Sequence, residues 1–137
     1  ISVMMNKRNS ERKRLIIVDV VPSVALNENL LTYASFNVEE SGYYHMDTQI
    51  SLYCEANSTA NFIQYGICDK LHVEFGKTFN SRIINALVDE NQIIADNLST
   101  IKYLDKDVDY VAWCNFSSLN GSWTYKQEYS HLQLLKL

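Results

Sequence analysis

The chain is short of the residues that break or divide a fold: one proline, Pro22, and four glycines in 137 residues. That scarcity excludes collagen-like and low-complexity architectures and leaves no Gly/Ser-rich linker at which to split the chain. It has no run of eighteen apolar residues, so no transmembrane segment of the helical kind is expected. The dinucleotide, phosphate, acyl-transfer and zinc-protease signatures (G-x-G-x-x-G, the Walker loop, G-x-S-x-G and H-E-x-x-H) are all missing. No nucleophile sits at a legible spacing from a base, so the chain is read as not an enzyme, with no cofactor. A net charge of −4 argues against nucleic acid as a partner, because phosphate binding needs a concentrated positive field. The three cysteines, Cys54, Cys68 and Cys114, form no C-x-x-C pair and no zinc-type spacing with His45, His72 or His131, so no metal site is expected.

What the chain has is material for strands. Tyrosine outnumbers phenylalanine nine to five, which suits half-wet strands. Leu15–Val21 is a β-branched run stopped by Pro22, and Leu30–Val38 is a second strand candidate. In Tyr43–Cys54 the residues Met46, Thr48, Ile50, Leu52 and Cys54 share one face and Asp47, Gln49, Ser51 and Tyr53 the other, the period of a half-buried strand. A turn around Asn57 leads into Phe62–Cys68, and Leu71–Phe75 either extends that strand or begins another. At the far end, Tyr110–Phe116 and Tyr125–Leu135 flank Asn120-Gly121, the strongest short-range hairpin signature.

Residues 79–98 read two ways. Ile83, Leu87, Ile94 and Leu98 fall near one helical stripe, joined by Ile84, Val88, Ala95 and Ile101. The rival is a hairpin turning at Asp89–Gln92; the persistence of the stripe favours the helix. Asp105, Asp107 and Asp109 alternate like calcium ligands, but without the required Gly and distal Glu they read as a solvated bend. Seven or eight strands with one helix at most define a mainly β chain: an antiparallel two-sheet β-sandwich over 15–137, preceded by a basic arm over 1–14 that holds Lys7, Arg8, Arg12, Lys13 and Arg14.

Four N-x-S/T sequons, at Asn57, Asn97, Asn115 and Asn120, point to an extracellular, secreted glycoprotein. In that oxidising setting one disulfide and one spare thiol are expected. A Cys54–Cys68 bridge across a regular hairpin at Asn57 would strain the ladder, so Cys54–Cys114 across the sheets is preferred.

Two further patterns carry a family resemblance. Phe62–Leu71 ends in Cys-Asp-x-Leu after the alternating strand His45–Tyr53, and the last hairpin is entered by Asp107-Val108-Asp109-Tyr110. Together they resemble the ML lipid-recognition superfamily, nearest to secreted insect chemosensory-type members. The chain departs from that group in having no cysteine before Cys54, so its disulfide scheme is not carried over. The resemblance implies two sheets splayed into a cup around a lipid, sterol or pheromone-like molecule. Phe62, Ile67, Tyr103, Tyr110, Trp113, Phe116 and Trp123 are the expected ligand-binding residues, because they exceed what one small sandwich core requires. The second reading is an immunoglobulin-like protein-interaction domain with a membrane receptor or another extracellular protein as partner. It rests on Thr48–Cys54 as a B strand and Asp107–Cys114 as an F strand.

Overall fold

A computed structural model describes residues 15–70, 80–87, 91–117 and 119–137, leaving aside the side chains of residues 61, 62, 80–87 and 117. The basic arm of 1–14, the extension Leu71–Phe75 with His72, and the polar pair Asp89-Glu90 lie outside the described residues. Ten strands follow in chain order: β1 (Leu15–Val18), β2 (Val24–Ala25), β3 (Leu30–Phe36), β4 (Gly42–Cys54), β5 (Thr59–Asp69), β6 (Asn80–Leu87), β7 (Gln92–Leu104), β8 (Tyr110–Ser117), β9 (Trp123–Tyr125) and β10 (His131–Lys136). A 3₁₀ turn, Gln127–Tyr129, precedes β10. The mainly β, two-sheet antiparallel sandwich expected from the strand patterns is the observed fold.

The first sheet is built on β4. β7 pairs along its whole length on one side, and β10 and β9 lie end to end on the other, with β1 beyond β10 and β2 beyond β9. The second sheet runs β3-β8-β5-β6. The chain therefore changes sheets from β2 to β3, β3 to β4, β4 to β5, β6 to β7, β7 to β8 and β8 to β9, which makes the sandwich a jelly roll.

Three sequence expectations fail on that topology. The stretch 79–98 contains no helix among its described residues: β6 joins β5 in the second sheet and β7 joins β4 in the first. The apparent helical stripe is two strands read together, since Ile94 and Leu98 of β7 pack into the core while Ala95 and Ile101 are exposed. Residues 83–95 do not form a hairpin either. Asn120-Gly121 likewise joins two sheets, because β8 pairs with β3 and β5 and not with β9 or β10. Gly121 has φ +85°, and a Cβ there would lie 2.5–2.8 Å from Ser58 atoms. The glycine is needed because this loop is pressed against the β4–β5 turn, where Ser58 Oγ accepts from Ser122 N–H at 3.0 Å.

The core sits between the sheets. Met46, Thr48, Ile50, Leu52 and Cys54 of β4 are all buried, the face read from the sequence. They meet Ile63, Tyr65 and Ile67 of β5 and Ala112, Cys114 and Phe116 of β8. A bulge at Tyr33 lets Tyr33 and Ala34 bury side chains in succession. The Tyr33 ring packs 5.7 Å from Tyr125, and its hydroxyl donates to Thr48 Oγ1 at 2.8 Å while Thr48 donates to the His131 carbonyl at 3.0 Å. This two-step relay links β3 of one sheet to β4 and β10 of the other. Burial, opposed by the Thr48 bond, pushes the Tyr33 phenol far above its ordinary range and keeps it neutral.

The relay is asymmetric, and so are its mutants. Thr48→Val leaves the buried Tyr33 hydroxyl without its acceptor and is expected to cost about 1–3 kcal/mol, whereas Tyr33→Phe leaves Thr48 satisfied and costs about 1 kcal/mol. Urea unfolding of the two variants and the double variant, with unchanged m, is the measurement; equal costs would remove the relay from the account of stability.

Candidate functional site

Successive residues of a strand point to opposite sides, so the first sheet has a second face, turned away from the core. The pairing registers lay it out in rows. Tyr43 lies opposite Tyr103; Leu15, Leu135, His45 and Ile101 form the next row; Ile17, Gln133, Asp47 and Ser99 the third; and His131, Gln49 and Asn97 the fourth. Ala95 and Ile93 continue the β7 side opposite Ser51 and Tyr53. Leu137 extends the Tyr43 row, its N–H donating to the Tyr43 carbonyl at 3.0 Å.

This face is apolar where a solvated sheet face is ordinarily polar. Leu15, Ile17, Tyr43, Ile93, Ile101, Tyr103 and Leu137 are 48–70% exposed. Tyr43 and Tyr103 meet edge to face with centroids 5.4 Å apart. No lysine, arginine or glutamate occupies any of these positions. Clustered exposed apolar surface of this kind marks an interaction site, since scattered single residues need no explanation but a contiguous face does.

One polar band crosses it. His131 Nε2 lies 3.0 Å from Asp47 Oδ2, Ser99 Oγ donates to Asp47 Oδ1 at 2.8 Å, and Gln49 Nε2 donates to the Tyr129 carbonyl at 2.8 Å. Burial alone would raise the Asp47 pKa, but hydrogen bonds from Ser99, His131 and Asn97 outweigh it and hold the carboxyl below its ordinary value. The band's only formal negative charge is therefore already partnered within the chain.

The seven expected ligand-binding residues are not brought together around a cavity. Ile67, Tyr110, Phe116 and Trp123 belong to the inter-sheet core. Trp113 is buried on the other side of the second sheet with Val111 and Cys68. Tyr103 is exposed on the outer face of the first sheet, and the Phe62 side chain lies outside those described. Side chains lining an open cup would have water-sized space beside them. Instead Ile63, Tyr65, Leu52, Met46 and Tyr125 have none, and Phe116 and Trp123 pack with centroids 6.4 Å apart. Surface clefts among the described residues hold about 160–210 Å³, below the roughly 300–1,000 Å³ of ligand pockets. The largest pair adjoin the Asp105–Asp109 bend, where Asp105 Oδ1 accepts from Asp107 N–H at 2.9 Å. No group of three His, Cys, Asp or Glu among the described residues is placed to hold a metal.

The Cys54–Cys114 bridge is not formed; all three cysteines are buried and free. Cys54 sits opposite Trp123 and Gln92 at the end of β4. The Asn57 turn does not close the regular hairpin on which that pairing was preferred: it carries the chain from one sheet to the other. Burial pushes the thiols up, Cys68 to about 11 and Cys114 further.

No family model matches the chain, and no curated protein matches its sequence. Its fold is that of a jelly-roll class with solved members. The structure of Eiger TNF from S. frugiperda superposes with a TM-score of 0.55 at 9% identity, covering 92% of this chain and 93% of that one. The crystal structure of murine APRIL gives 0.57 at 9% identity, covering 90% and 98%. A match across some nine-tenths of the chain overturns the ML resemblance and with it the lipid-binding, chemosensory cup, whose motifs were short segments that the jelly roll uses differently. The protein-interaction alternative stands better, on a TNF-like topology in place of the immunoglobulin one.

The thiols are expected to resist alkylation in the native protein and to yield three adducts after denaturation, counted by intact mass. A raised thiol pKa leaves stability full below the unfolded thiol value of about 8.5 and lowers it as pH climbs toward the folded value. Tm is therefore expected to be level near neutrality and to fall above about pH 9.

Proposed function

We propose that the chain is an extracellular ligand of the TNF type, a non-catalytic protein that assembles into a homotrimer through the outer face of its first sheet and in that form binds a membrane receptor. The observation that carries the reading is this face: apolar, free of lysine, arginine and glutamate, and centred on the long β4–β7 pair. The likeness of fold to Eiger TNF and APRIL supports the same reading. A face packed onto the flank of the next copy is a heterologous contact, and such contacts close into a ring when the rotation between copies divides the circle. Burial of Ile17, Ile101, Tyr43 and Tyr103 supplies the driving force, while the internally paired Asp47 adds little repulsion. The sequons at Asn57, Asn97, Asn115 and Asn120 support the secretory route. Three free thiols are compatible with it because each is buried.

Sedimentation velocity of the chain made in bacteria, and so free of N-glycans, tests the assembly. Wild type is expected to sediment as a trimer at micromolar concentration. Ile101→Asp or Tyr103→Asp, which place a charge in the face without touching the core, should weaken association by roughly 30-fold or more. Val24→Asp, also exposed but on β2 away from the face, should leave it unchanged. A wild-type chain that stays monomeric at tens of micromolar would end this reading.

A further inference from the structure

The fold sorts the four sequons by place. Asn57 is exposed at the β4–β5 turn with φ +66°. Asn120 is exposed in the β8–β9 loop and bridges to Thr59, so both lie at one end of the sandwich. Asn115 is half-buried on β8, in the second sheet. Asn97 differs: it is exposed in the middle of β7, opposite Gln49, on the outer face of the first sheet. Ser99, the hydroxyl residue of its sequon, is exposed on the same face two residues on, beside Ile101 and opposite Asp47.

We propose that Asn97 is an N-glycan acceptor whose occupancy decides whether the chain is a monomer or an assembly; this rests on the assembly reading above. In the transfer, Asn97 Nδ2 bonds to the anomeric carbon of an oligosaccharide carried on a lipid pyrophosphate. The carbon–oxygen bond to the pyrophosphate breaks, the lipid pyrophosphate leaves, and the amide gives up one proton. Within β7 the Asn97-Leu98-Ser99 segment is extended, with Asn97 and Ser99 both exposed on the outer face. The amide keeps one N–H, enough for its hydrogen bond to Asp47.

A glycan there is bulky and hydrated. Neighbouring strands are about 4.8 Å apart, so an oligosaccharide rooted on β7 covers Ile101 and Ile93 and reaches over β4. The face then cannot meet another copy, and its apolar side chains are shielded from nonspecific association. Glycans at Asn57 or Asn120 stand at the end of the sandwich and leave the face open. Unmodified Asn97 fits an interface, being a small polar side chain partnered by Asp47.

The test uses the full chain secreted from eukaryotic cells and fractionated by size. Occupancy at each sequon is read by enzymatic glycan release in heavy water, which converts each occupied Asn to isotope-labelled Asp. The expected result is Asn97 glycosylated throughout the monomer fraction and bare in the assembled fraction. Asn97→Gln and Ser99→Ala, which remove the sequon in different ways, should both move the monomer into the assembled fraction, and Ser99→Thr, which keeps it, should not. An assembled fraction carrying the Asn97 glycan, or Asn97 bare in every fraction, would overturn the gate while leaving the assembly reading intact. An Asn97→Gln protein that is bare and still monomeric would overturn the assembly reading itself.

Discussion

The structure depends on one constraint: β4 must satisfy two faces and two neighbouring ladders at once. Thirteen residues long, it pairs with β7 along its full length and with β10 and β9 on the other side. Its even-numbered side chains from Tyr44 to Cys54 are buried between the sheets, and Thr48 among them takes the hydroxyl of Tyr33 from the facing sheet. Its odd-numbered residues build the outer face, where Asp47 collects Ser99 and His131 into the polar band. A shift of register by one residue would exchange these sets, putting Asp47 and Gln49 into the core and Met46 and Ile50 on the surface. The core packing and the character of the outer face are therefore fixed together.

That coupling explains which parts of the fold were legible. The inward face of β4 could be read residue by residue, because alternation is local and strong from Met46 to Cys54. Strands β1, β3, β5 and β8 were legible for the same reason, as runs of β-branched and aromatic residues. What could not be read was the partner of each strand. Asn120-Gly121 and the Asn57 turn carry the chemistry of tight turns, but both join strands of different sheets. The discriminating contact, Ser58 pressed against Gly121, spans more than sixty residues. Local sequence specifies a turn; nonlocal packing decides whether it closes a hairpin or crosses a sandwich.

Strand β7 shows the cost of a single-period reading. Its inward residues Ile94 and Leu98 and its outward residues Ile93, Ile101 and Tyr103 are all apolar, so the alternation that identifies a half-buried strand is blurred. Spacings of three and four then arise by counting across both faces, and they imitate a helix. The blurred alternation was itself the available signal: a strand apolar on both sides, in a sheet whose other surface is not covered by the chain's described residues, implies a second buried surface.

The same reasoning disposes of the cavity. Of the large apolar side chains expected to line it, Ile67, Tyr110, Phe116 and Trp123 fill the core between the sheets and Trp113 is buried behind the second sheet. Between the sheets, among the described residues, Tyr33, Tyr65 and Tyr125 have no water-sized space beside them, and Phe116 and Trp123 are buried against each other. The exposed apolar side chains are a different set, Leu15, Ile17, Tyr43, Ile93, Ile101, Tyr103 and Leu137. A closed core and an apolar exterior call for different partners. An apolar chain would need a gap that the packed rings do not provide, whereas a face of tyrosine and isoleucine around an internally hydrogen-bonded polar band suits a surface of similar character. Tyr103, expected in the cavity, stands on this face instead: it meets Tyr43 across the β4–β7 ladder, with its ring toward solvent and its backbone held by the strand that also builds the core.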